Sequence, residues 1–165
     1  MAHLKSLEDL FIENVRRAYD AEKRLLKVLP KLHDSAVSDE LKHAFQSHFE
    51  ETEVHVDRLD QIFEWFGQEP KAHACGSIKG ILGDGKYAMD LDTEPDIKDA
   101  ALIAAAQAAE HFEIALYGTL RTWAQVLGNN EAMQALEVTL EEEKAADALL
   151  TNIAATLNLR AAHAE

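Results

Sequence analysis
Four long stretches of this chain carry a core-type residue every three or four positions, and each stripe is broken near its middle by carboxylates. The first runs Phe11, Val15, Ala18, Glu22, Leu25, Leu29 and Leu32. The second runs Leu41, Phe45, His48, Thr52, His55, Leu59, Ile62 and Phe66, with Glu51 on its flank four positions before His55. The third carries Ile103, Ala106, Glu110, Glu113, Tyr117, Leu120 and Leu127, and the fourth Leu136, Leu140, Glu143, Asp147, Leu150, Ala154 and Leu157. Steps of three and four put the members of each stripe on one helix face. Such a face packs against other helices, where an ionised group is unfavourable unless it is paired or bound to metal. Any fold for this chain has to resolve that conflict.

Helix punctuation sets the layout. Ser6 with Asp9 three positions later is a capping-box signal for the first helix. Pro30 removes a backbone donor, so a kink there, or an end near Leu29 followed by a turn to Ala36, is expected. Ser38 and Asp39 are read as the start of the second helix, and Gly67 and Pro70 as its stop. Residues 67–95 hold five of the seven glycines and two of the three prolines. They are read as a connection containing a short helix over Ser77–Leu91. Pro95 and Asp96 open the third long helix, Gly128 closes it, and the fourth begins near Asn130, with a frayed tail from Arg160. The expected fold is all-α, a single domain over residues 1–165. It is built from two antiparallel hairpins of helices about 40 Å long. The long crossover at about 67–95 lets the second and third long helices run parallel, which is the ferritin-like form of a four-helix bundle.

Composition narrows the function classes. A net charge of −14 argues against a nucleic-acid partner. The single Cys75 cannot form an intrachain disulfide. The N-terminus lacks a signal-type apolar run, and no stretch reaches the ~18 apolar residues of a membrane span. A cytoplasmic protein with no membrane partner is expected. Gly80-Ile81-Leu82-Gly83-Asp84-Gly85-Lys86 imitates a phosphate loop, but Tyr87 stands where Ser or Thr is needed. No strand-like run precedes it, so a nucleotide site is not expected.

The candidate metal ligands are Glu22, Glu51, His55, Glu110, Glu113, Glu143 and Asp147. Residues three or four apart share a helix face, so the pairs Glu51–His55, Glu110–Glu113 and Glu143–Asp147 can each converge. This is the inventory of a dinuclear carboxylate site in a bundle core, and its oxygen-rich character suits iron or manganese better than zinc or copper. The usual Glu-x-x-His pairs are replaced here by four-residue spacings, with Asp147 in place of a second His. Glu110 and Glu113 are alternatives as the leading ligand of their helix. Taken alone, each acidic pair is more often a solvated face. In the run Glu141-Glu142-Glu143 two members must face water, and a shift of one would promote Glu142. His48 is read as a core or supporting histidine, Tyr19 and Tyr117 as core tyrosines, and His111 as exposed.

Ala21-Glu22-Lys23, His48-Phe49-Glu50-Glu51-Thr52, Asp99-Ala100-Ala101-Leu102-Ile103, Glu110-His111-Phe112-Glu113-Ile114-Ala115, Tyr117-Gly118-Thr119-Leu120 and Leu140-Glu141-Glu142-Glu143-Lys144-Ala145 with Asp147 together resemble the YciE/YciF family of bacterial ferritin-like proteins. The resemblance implies a ferritin-like bundle, a homodimer, a dinuclear iron site and a stress-associated role. It also implies that position 55 accepts Gln in relatives where this chain has His. The functional expectation is a protein binding two iron ions, with manganese as the alternative metal. It would oxidise Fe²⁺ with O₂ or peroxide, or remove peroxide. The rival is a non-catalytic helical dimer that keeps a polar or metal-bound core.

Overall fold
A computed structural model describes residues 4–163. Among the described residues there are five helices and no strand: α1 Leu7–Ser35, α2 Asp39–Trp65, α3 Gly76–Asp90, α4 Pro95–Val126 and α5 Asn130–Ala161. The Ser6 hydroxyl accepts from the Asp9 amide at 3.0 Å, and the Asp9 carboxylate accepts from the Ser6 amide at 3.1 Å, closing the expected capping box. Pro30 does not end α1, which continues to Ser35. Leu29, Leu32 and Ala36 are all buried around it, and that packing offsets the roughly 3 kcal/mol that an internal proline costs. Gly67 and Gly128 follow α2 and α4 with φ of 63° and 75°, the left-handed conformation that ends a helix with least strain in glycine. Helix α5 ends at Ala161, and Arg160 pairs with Asp96 of α4 at 3.1 Å; the end of the tail expected to fray, residues 164–165, lies outside the described residues.

The turn leading into α2 is held from outside its own sequence. Ser38 occupies the cap position, yet its hydroxyl makes no capping bond. Instead the buried Asp99 carboxylate of α4 accepts from the Val37 amide at 2.7 Å and the Ser38 amide at 2.8 Å. The connection before α3 is tied down in the same way. Asp20 of α1 accepts from the Cys75 amide at 2.8 Å, and Glu13 meets His73 at 2.8 Å. Ile78 and Ala88 then carry α3 into the core beside α1 and α4.

Two apolar clusters fill the interior. One draws on the C-terminal halves of α1 and α5, the N-terminal halves of α2 and α4, and α3. The other draws on the opposite halves of the four long helices. So α1 and α2 run in opposite senses, as do α4 and α5, while α2 and α4 start from the same end. Between the clusters lies a layer of buried polar side chains: Glu22 on α1, His48, Thr52 and His55 on α2, Glu110 and Glu113 on α4, and Glu143 on α5. Replacing Asp99 by Ala is expected to lower stability by about 1.5–3 kcal/mol, the usual cost of losing hydrogen bonds to a charged group. In a urea titration the midpoint should fall without a change in slope.

Candidate metal centre
Helical periodicity explains why these groups meet. Glu22, Glu110, Glu113 and Glu143 sit on the stripes that their helices bury, and the apolar clusters on either side force the polar band inward. His55 is fully buried, and its Nδ1 lies 3.4 Å from Glu22 Oε1 and 3.2 Å from Glu143 Oε1. His48 Nε2 lies 3.3 Å from Glu110 Oε1 and 3.9 Å from Glu143 Oε2. The Tyr117 hydroxyl donates to Glu22 Oε1. Donor atoms therefore fall into two sets, His48–Glu110–Glu113–Glu143 and Glu22–His55–Glu143, with atoms of each set within 4.8 Å of one another. Glu143 belongs to both.

Five of the seven expected ligands, Glu22, His55, Glu110, Glu113 and Glu143, lie together in this layer. The other two stand apart. The Glu51 side chain is 42% exposed and lies 3.7 Å from His48 Nδ1. Asp147 turns to Gln107 at 3.0 Å and to the exposed His111 at 3.3 Å. Both sit a turn of helix from a buried ligand, but their direction takes them to the rim. His48, read from sequence as supporting, is brought into the donor set; its place on the α2 stripe, seven positions before His55, was the available signal. Glu142 and Glu143 divide the acidic run between them. Glu143 is buried, while Glu142 accepts from Arg58 and sits 3.0 Å from His55 Nε2. Sequence reasoning missed Arg58, which also donates to Thr139 at 3.1 Å.

The electrostatics follow from burial. Desolvation would lower the His48 imidazole, but Glu110, Glu51, Glu143 and Glu22 overcome it and raise the pKa to about 9. Desolvation likewise opposes the charge on His55, and Glu143 with Glu22 lifts it to about 11. Glu110 and Glu113 are pushed well above the carboxylate range, by burial first and then by neighbouring carboxylates. For Glu143, burial is outweighed by the two imidazoles, and its pKa falls. Burial also tends to raise Glu142, but Arg58 and His55 hold it down.

Many of these atoms have no hydrogen-bond partner. They include both oxygens of Glu113 and of Glu143, one oxygen each of Glu22 and Glu110, both nitrogens of His48, and His55 Nδ1. A buried polar atom left unsatisfied costs about 1–3 kcal/mol, so a cluster of them facing one another needs compensation. Divalent cations fit: the donors are carboxylate oxygens and imidazole nitrogens, and they converge in two sets.

The chain resembles known proteins along nearly its whole length. The family model described as "Domain of unknown function (DUF892)" matches residues 6–163. Protein YciF of Escherichia coli strain K12 is 40% identical over 153 residues, covering 92% of each chain. The crystal structure of the E. coli stress protein YciF superposes with a TM-score of 0.90 at 40% identity, over 93% of this chain and 98% of that one. YcfI of Rhodopseudomonas palustris superposes with a TM-score of 0.85 at 39% identity, over 89% and 94%. A Xanthomonas campestris protein at 21% identity, with a TM-score of 0.70 over 94% and 98%, shares the fold.

The raised imidazole pKa values predict proton release on cation binding. With His48 at about 9 and His55 at about 11, both rings are protonated at pH 7, whereas a ligand must present a lone pair; burial raises Glu110 and Glu113 in the same direction. Cation affinity should therefore rise with pH between 6 and 8. Calorimetric titrations with Mn²⁺ in two buffers of different ionisation enthalpy should report at least one proton released per ion.

Proposed function
The chain belongs to the DUF892 family, and on that premise we propose that it is a ferritin-like dinuclear metal protein of the cytoplasm, acting as a homodimer in a stress response. In this reading α1, α2, α4 and α5 form a single ferritin-like four-helix bundle, and residues 67–95 with α3 are its crossover. The observation that carries the proposal is the layer of unpartnered carboxylate and imidazole atoms buried between two apolar clusters. Similarity to a relative described as a stress protein supports the physiological part.

Glu22, His48, His55, Glu110, Glu113 and Glu143 would hold the ions, with Glu143 common to both sets. Two iron ions, or manganese in their place, would supply the electron transfer by which Fe²⁺ is oxidised with O₂ or peroxide, or peroxide is removed. The protein's own contribution is orientation and exclusion of water. Arg58 fixes Glu142, and Glu142 accepts from His55 Nε2, which leaves Nδ1 aimed at Glu22 and Glu143. Such outer partners set the tautomer and direction of a metal-binding imidazole. Tyr117 holds the Glu22 carboxylate in the same manner. Glu51 and Asp147 are assigned to the rim, outside both donor sets.

A second reading, the non-catalytic structural dimer, is favoured by one feature. His48 and His55 carry positive charge between the carboxylates, which balances part of the buried negative charge without any metal.

Protein produced with iron is expected to hold about two ions per chain by elemental analysis. The Glu143→Ala variant should retain fewer than one, because both sets lose a donor. Saturating Fe²⁺ at a hundred times its dissociation constant should add about 2.7 kcal/mol of stability for each site filled. Fe²⁺-dependent consumption of O₂ or H₂O₂ should fall at least tenfold in Glu22→Ala. Equal consumption in wild type and variant, with the site filled, would favour the structural dimer instead.

A further inference from the structure
The two donor sets differ in their access to solvent. A cavity of about 110 Å³ between α2 and α5 is walled largely by Ala44, Phe45, Ala145, Ala146, Leu149 and Leu150. Its polar lining includes His48 and Glu110, both buried and both with unpartnered atoms, together with the half-exposed Glu51. The exposed Leu149 and the half-exposed Glu51 mark the outer end. From Glu51 Oε2 the donors step inward: 3.7 Å to His48 Nδ1, then from His48 Nε2 3.3 Å to Glu110 and 3.9 Å to Glu143. Glu22 and His55 do not line this cavity. On their side His55 Nε2 is closed off by Glu142 and Arg58, and Glu22 is held by Tyr117.

We propose that this cavity is the loading port of the metal centre, with Glu51 as the carboxylate that receives an incoming divalent cation and passes it to His48 and Glu110. The inference rests on the metal-centre reading given above. A hydrated cation meets an apolar wall here, and shedding its water there is unfavourable without an anionic partner. Glu51 supplies that partner at the mouth, close enough to an inner donor for handover. The His48 set therefore fills first and exchanges with solvent. The Glu22–His55 set is reached only across the shared Glu143, and retains its ion. Removing a single carboxylate from a charged entrance lowers encounter rates without altering what the inner site holds at equilibrium.

The test uses the full-length protein freed of metal by chelation, with Co²⁺ alone as the probe. Uptake is followed by stopped-flow absorbance, and final occupancy by elemental analysis. Glu51→Gln should slow uptake at least tenfold while the final Co²⁺ per chain is unchanged. Leu149→Trp, which narrows the mouth without touching a charge, should also slow uptake at unchanged final occupancy. Val138→Trp, at an exposed α5 position outside the cavity, should load at the wild-type rate. Wild-type rates in both Glu51→Gln and Leu149→Trp would overturn the port. A lower final occupancy in Glu51→Gln would make Glu51 a ligand and overturn its assigned role. Wild-type protein that takes up no Co²⁺, Mn²⁺ or Fe²⁺ would overturn the centre itself, a result distinct from the other two.

Discussion

The layer of acid and imidazole side chains across the middle of the helices is the constraint on which the rest of the structure turns. Four carboxylates and two imidazoles sit almost completely out of water there. Burial pushes Glu110 and Glu113 towards their neutral forms, while the facing imidazoles hold their protons. Charge is thereby balanced locally, but the hydrogen bonds are left incomplete. An apolar layer in the same place would be simpler to stabilise, because replacing a buried ionic network by hydrophobic residues is often neutral or favourable. The polar layer is therefore not explained by what it adds to stability.

The apolar clusters on either side make that layer possible. Each gathers side chains from all four long helices, so the helices are clamped at both ends and the polar residues between them cannot rotate outward together. Anchors at the helix ends complete the clamp. Asp99 of α4 holds the entry to α2, and Asp20 of α1 holds the entry to α3. In both cases a carboxylate from one element satisfies backbone donors of another. Helix position is thus tied to hydrogen bonding as well as to packing.

The layer is not symmetric. Around His55, the Glu142–Arg58 pair and Tyr117 supply a closed set of partners that orient the ring and the Glu22 carboxylate. Around His48, neither ring nitrogen has a hydrogen bond, and a cavity reaches the ring from the α2–α5 side. One end of the site is preorganised and shut, the other open and less constrained. The proposed loading port rests on that difference.

Much of the architecture was legible in the order of residues. Helical period, the Ser6–Asp9 capping box and the glycines at 67 and 128 locate the ends of the long helices, and the short helix in the connection lies within a residue of its expected bounds. The same period put Glu22, His55, Glu110, Glu113 and Glu143 on core-facing stripes, because azimuth on a helix is a local property. What lies across from a residue is not local. Packing of α2 against α5 sends Glu51 to the rim and brings His48 in, and Asp147 leaves the layer for Gln107 and His111. Which member of the Glu141–Glu143 run goes inside, and the pairing of Arg58 with Glu142, likewise depend on how far each helix is rotated about its own axis. The chain by itself determined that acids and imidazoles would lie on buried faces. Only the tertiary structure decided which of them meet, because helix rotation is set by the fit of whole faces and not by the spacing within any one of them.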